Sequence, residues 1–189
     1  MTDHELDKLM DARNALVVHF SHYSEMNPRH PYYPEDLHRV LKRNGEFPNS
    51  CCVLWPGHKM DLIGSIGVLF RPSCANILSV SNTDSGSLTW SDGTEGSLGE
   101  QLTVDSFETS FDVADGEYNE WRIQGAAIEG IFVANPASIL VKFQTDMGIE
   151  GLEKMHSLKI ISINEVFSTF PDHRIFTMNS HGKVEIFRS

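Results

Sequence analysis

The apolar residues of this chain come in short runs. "ALVVHFS" (15–21), "CCVLW" (51–55), "GSIGVLF" (64–70), "NILSVS" (76–81), "IEGIFVA" (128–134) and "SILVKF" (138–143) are each five to seven residues long. Runs of that length, partly β-branched and bounded by Gly, Pro, Asn or Ser, suit buried strands and are too short for core helices. None approaches the ~20 apolar residues of a membrane-spanning helix. A further strand is expected in "EYNEWRIQG" (117–125), and "RIFTMNSHGKVEIF" (174–187) reads as a terminal hairpin around Ser180-His181-Gly182.

Helices are expected at three places. Thr2 and Glu5 have capping-box spacing ahead of Leu6, Leu9 and Met10, and Ser162 and Glu165 repeat that spacing before a stop at Pro171. "PEDLHRVLKRNG" (34–45) carries the fullest set of signals. Pro34 suits the first turn, Glu35 and Asp36 the positive end of the helix dipole, and Lys42 and Arg43 its negative end; Leu37, Val40 and Leu41 form the buried stripe, and Gly45 stops it. Pro28, Pro31 and Pro34 make 27–34 a loop. Residues 82–101 are rich in Ser, Gly, Asp and Thr and read as a long acidic loop or polar hairpin. With no internal repeat, the expectation is one α+β domain over 1–189: strand-rich, with a split or two-sheet β core and a few short helices.

A net charge of -11 argues against a duplex-binding surface. The best local basic patch, His38-Arg39 with Lys42-Arg43, reads as the solvated end of a helix. Hydrophobic content of 40% fits a soluble globular protein. Three cysteines, two of them adjacent and none in a CxxC, fit a reducing compartment better than a disulfide framework or a cysteine-built zinc site. The N-terminus lacks an apolar signal segment, so the cytoplasm is the expected location; delivery into a target cell by a specialised secretion system would leave no such mark.

No HExxH, GxSxG, Walker or GxGxxG pattern occurs, so neither a metal centre nor a phosphate-cradling loop is expected. Cys51 and Cys52 open an apolar strand and read as packing residues. His19 and His22 are three apart; on a helix they would share a face, but in the strand that the local sequence favours they point to opposite sides, which argues against a chelating pair. His19 and Ser21 share a face instead. In "EYNEWRIQG", Trp121 and Ile123 suit the core, leaving Tyr118, Glu120 and Arg122 on the other face.

His19-Phe20-Ser21 on an early strand, a helix after it, and a single glutamate, Glu120, on a later strand resemble the ADP-ribosyltransferase fold of the His-x-Ser/Thr…Glu type. The resemblance covers roughly 15–140 and rests on a few residues. It implies that NAD is the substrate, with no metal, and that ADP-ribose passes to an acceptor, protein favoured over nucleic acid, as in a toxin or effector. It implies that His19 and Ser21 bind NAD and that Glu120 is catalytic, with Tyr118, Ser79 and Ser81 as further NAD contacts and Arg122 in the second rank. "ILSVSNTDSG" (77–86) is the nearest counterpart of the family's middle motif. Two before the glutamate stands Tyr118, where arginine- and asparagine-directed types have Glu or Gln, so arginine is not the expected target. Under that reading Tyr23, Tyr32, Tyr33 and Trp55 are available to stack on nicotinamide, the 27–34 loop either covers the nucleotide or is an ordinary structural loop, the commoner case, and the 82–101 segment and the strand before Glu120 meet the acceptor.

Two other readings stay open. One is a non-catalytic acidic interaction domain of inhibitor or immunity type, supported by the net charge. The other is a metal-free ribonuclease using His19 or His22 with Glu120 as acid and base, disfavoured by a polyanionic substrate.

Overall fold

The computed structural model describes residues 1–21, 34–58, 65–85, 88–89, 95–96, 99–145, 155–178 and 184–188. Its elements run α1 (Asp3–Arg13), β1 (Leu16–Phe20), α2 (Pro34–Arg43), β2 (Asn49–Leu54), β3 (Ile66–Arg71), β4 (Ile77–Ser81), β5 (Leu88–Thr89), β6 (Glu95–Gly96), α3 (Val104–Thr109), β7 (Glu120–Ile123), β8 (Ala127–Val133), β9 (Ile139–Thr145), β10 (Met155–Ile161), α4 (Ile163–Thr169), β11 (Ile175–Met178) and β12 (Val184–Arg188). This is the strand-rich α+β fold that the short apolar runs predict. An eight-stranded mixed sheet has the order β12-β11-β8-β3-β1-β2-β7-β4, and β9–β10 and β5–β6 form separate hairpins. Among the described residues, only β8 and β11 pair in parallel. The turn expected at 180–182 and the loop at 27–33 lie outside the described residues.

Both sequence-derived capping boxes form: Thr2 with Glu5 starts α1, and Ser162 with Glu165 starts α4. The sequence reading missed α3 and β10. The α3 cap is Thr103 with Ser106, which lacks the Glu or Gln that marks a capping box in sequence. In β10, Lys159 and Ile160 are exposed, so no apolar run betrays the strand.

Alternation along the strands sorts the core onto two faces. Val17, Cys51, Val53, Trp121 and Ile123 pack with Leu6 of α1, Leu37 and Val40 of α2, Phe107 of α3 and Val166 of α4. All four described helices therefore cover one face. The other face carries a smaller cluster of Val18, Phe20, Cys52, Leu54, Leu69, Phe132 and Phe176. β1 lies near the middle of the sheet and is buried on both sides, as its unbroken apolar run requires.

The expected split in the β core falls between β1 and β2. Their ladder pairs Leu16 with Leu54, Val17 with Val53 and Val18 with Cys52, and stops there. β1 continues along β3 as far as Phe20 opposite Gly67. Among the described residues, the start of β2, Asn49 to Cys51, pairs only with β7, opposite Ile123 to Trp121. The sheet thus forks at His19.

Gly67 lets β3 hold β1 at this point. A Cβ there would lie 2.4 Å from the His19 carbonyl oxygen and 2.7 Å from Val18 Cγ1. Gly67→Ala is therefore expected to destabilise the fold by about 1–3 kcal/mol through overpacking against main chain. Urea denaturation should show a lower midpoint; an unchanged midpoint would mean that β1 is free to shift.

Candidate active site

A cleft of about 600 Å³ opens at the fork. Its described lining includes His19 and Phe20 of β1, Asp36 and Arg39 of α2, Asn49 to Cys52 of β2, and Asp84, Tyr118 and Glu120. His19 and Glu120, 101 positions apart in the chain, thus meet one cavity. They are not on adjacent strands, because β2 runs between β1 and β7. They also leave opposite faces of the sheet, so neither the adjacent strands nor the shared side that the ADP-ribosyltransferase resemblance requires of this pair is met. His19 shares the helix-covered face with Val17, whereas Glu120 alternates with Trp121 and so points to the other face. Parting of β1 from β2 lets both line one opening.

His19 spans the fork. Its Nδ1 lies 2.7 Å from the Ser50 carbonyl oxygen. A carbonyl only accepts, so this bond assigns the ring hydrogen to Nδ1 and leaves Nε2 as the second functional atom. Nε2 is buried without a hydrogen bond among the described residues, with Asp36 Oδ2 3.5 Å away. Asp36 Oδ1 accepts from Arg39 Nη2 at 2.9 Å, and that guanidinium lies over the Phe47 ring at 4.5 Å. The basic patch read as a solvated helix end therefore contributes one residue, Arg39, to the cleft wall.

Glu120 is only 5% exposed. Its neighbours in the chain fix it. Asn119 Oδ1 accepts from the Val53 N–H at 2.8 Å, and its Nδ2 donates to the Ser110 carbonyl at 3.0 Å. On the other side, Trp121 Nε1 donates to Ser110 Oγ at 3.1 Å. Two anchors on the helix side thus hold the carboxylate on the opposite side. There its Oε2 accepts from the Ser85 N–H at 3.0 Å and from the Ser85 hydroxyl. Next door, Tyr118 donates its hydroxyl to Asp84 Oδ2 at 2.5 Å. Burial, the Asp84 carboxylate and the charge of Glu120 hold the Tyr118 phenol well above its usual range, so it acts as a donor and not as a phenolate.

Cys51 and Cys52, at the fork, are buried. Burial pushes both thiols well up, and the Glu120 charge adds to it. No group of three or more metal-ligating side chains forms among the described residues. No described helix is long and apolar enough to cross a membrane.

The other residues chosen from sequence fall near the cleft without lining it. Ser21 is fully buried, and its N–H donates to the Ile66 carbonyl at 3.1 Å. Ser79 and Ser81 pair with Arg122 and Glu120 across the β4–β7 ladder. Both serines and Arg122 stay outside the described lining. Tyr118 does line it, although it precedes β7 and does not belong to the strand. Trp55 stacks on His58 at 3.5 Å and meets Phe111, away from the cleft. Tyr23, Tyr32, Tyr33 and His22 lie outside the described residues. Sequence reasoning passed over Asp36, Asn49, Asp84 and Ser85 as site residues. Only Asp36 carried a signal, since it sits one residue before the buried Leu37 on a helix edge.

No family model, no curated protein and no solved structure matches this chain. The class of protein is thus set by geometry alone: an α+β fold whose central sheet forks around a cleft holding one buried glutamate and one buried histidine.

Two outcomes check this geometry. Asn119→Ala leaves the Val53 N–H without its partner and should cost about 1–3 kcal/mol in urea unfolding. Maleimide at neutral pH should label Cys74, which is partly exposed, while Cys51 and Cys52 react only after denaturation. Rapid native labelling at Cys52 would mean that the cleft wall is open.

Proposed function

We propose that the cleft binds NAD and that the protein transfers ADP-ribose from it to an acceptor. The observation that carries this reading is that His19 and Glu120 line the same cleft. In the transfer, the bond between nicotinamide and ribose breaks, and its electron pair leaves with nicotinamide. Positive charge builds on the ribose ring, as in glycoside hydrolysis, and a nearby carboxylate stabilises it. Glu120 has that role. Ser85 holds one carboxylate oxygen, and among the described residues Oε1 takes no hydrogen bond, leaving it for a ribose hydroxyl. The acceptor's nucleophilic atom then bonds to the ribose carbon and releases its proton. His19 holds the nucleotide through Nε2, and the Tyr118 and Phe47 rings offer aromatic surface.

A second reading, the non-catalytic acidic interaction domain, draws support from the lining itself. Asp36, Asp84 and Glu120 outnumber Arg39, the only lysine or arginine among the described lining residues. A pyrophosphate gains little from such a wall.

Nicotinamide release separates the two. Incubated with NAD, alone and with cell lysate, the wild type is expected to release nicotinamide, and Glu120→Gln to lose at least about a hundredfold in rate while still binding NAD. Absence of both NAD binding and turnover in the wild type would leave the interaction domain.

A further inference from the structure

Three side chains on the cleft lining have an atom that takes no hydrogen bond among the described residues: His19 Nε2, Asn49 Oδ1 and Glu120 Oε1. All three atoms are acceptors. His19 donates through Nδ1 to the Ser50 carbonyl, so Nε2 keeps its lone pair. Asn49 turns its Nδ2 to the Ile123 and Asn44 carbonyls, at 3.3 and 3.4 Å, which leaves Oδ1 as the atom without a partner. Each of the three residues is more than nine-tenths buried. A buried acceptor left unmet is costly, so this wall suits a ligand rich in N–H bonds.

The donors of the lining are turned inward. Tyr118 gives its hydroxyl to Asp84, and the Cys51 and Cys52 thiols point to the carbonyls of Asn49 and Val18. Arg39 is paired with Asp36, so those two charges offset each other and the Glu120 carboxylate is not balanced by them. A ligand that answers this wall carries positive charge as well as N–H bonds. An ammonium does both, with three donors and no acceptor.

The open acceptors stand at two places. Asn49 alternates with Ser50 and so shares the helix-covered side with Cys51 and His19, while Glu120 points to the other side. The rest of the lining includes Phe20, Pro48, Cys51 and Cys52, an apolar surface suited to methylene groups. We propose that the cleft binds a linear aliphatic diamine or polyamine, with one ammonium at Glu120 and another at Asn49 and His19. A monoamine meets only one of the two ends. This goes beyond the transferase reading and does not rest on it; amine and dinucleotide would exclude each other from one cleft.

Calorimetry in the absence of NAD tests the proposal, at about 0.15 M salt so that diffuse attraction to an acidic chain is screened. The wild type is expected to bind one cadaverine or one spermidine per chain, at least about tenfold more tightly than pentylamine, which has the cadaverine chain with a single amine. Glu120→Gln keeps the shape and removes the charge, and should cost at least about tenfold in cadaverine affinity, with its melting temperature recorded to confirm folding. Asp172→Asn removes an exposed charge outside the described lining and should leave the affinity unchanged. Failure of the wild type to bind either polyvalent amine overturns the proposal, as does equal affinity for cadaverine and pentylamine; neither result needs a variant to fold. A folded Glu120→Gln that binds like the wild type, or an equal loss in Asp172→Asn, also overturns it. Nicotinamide release is a separate readout, so either reading can fall while the other stands.

Discussion

The β1–β2 ladder ends at Val18 and Cys52, and the cleft exists because of that ending. Had pairing continued, His19 and Phe20 would face Cys51 and Ser50 across a closed sheet, and no space would remain between them. β1 instead follows β3, and β2 follows β7. Such a break needs another partner for main-chain groups at the fork, since a buried carbonyl without one is costly. His19 supplies one by donating to the Ser50 carbonyl. A histidine suits this position because one ring nitrogen can donate to the main chain while the other stays available. A leucine would pack as well and leave the carbonyl unmet.

Holding the fork open also requires that each half be fixed independently. On the β1 side, Gly67 admits close approach of β3. On the β2 side, Asn119 reaches across to the Val53 N–H and the Ser110 carbonyl, and Trp121 binds Ser110 Oγ. Helix α2 spans the two halves. Its buried stripe packs under the sheet, and its C-terminal Asn44 bonds the turn beyond β7 through both its carbonyl and its side chain. The carboxylates that line the cleft therefore hang on well-packed elements, Asp36 on α2 and Glu120 on β7.

Much of the fold was legible because burial writes itself in local pattern. The short apolar runs gave the strands that line the core, and the Thr2 and Ser162 capping boxes gave two helix starts. What stayed hidden depends on non-local partners. α3 carries a serine, Ser106, at its third helical position where the rule looks for a longer polar side chain, and β10 exposes both Lys159 and Ile160 in a two-stranded hairpin. The site divides the same way. Glu120 stands out because Trp121 and Ile123, one and three residues on, suit the core and so set its direction to the other face. Ser85 lies in a polar stretch where every neighbour looks alike, and only the folded chain brings it to Glu120.

Strand alternation was used in the sequence to separate His19 from His22, and it applies equally to His19 and Glu120. By that rule they belong to opposite faces, which in an unbroken sheet would keep them apart by a full layer of main chain. The fork changes what a face means at this point. Where β1 and β2 part, the helix side and the opposite side open into one cavity, and Cys51 and Cys52, consecutive residues of opposite orientation, both reach it. A ligand that filled the whole cleft would pass through the plane of the sheet, with one end among His19, Asp36 and Arg39 and the other against Tyr118, Asp84 and Glu120. That geometry favours an elongated molecule with polar groups at two separated places over a compact one.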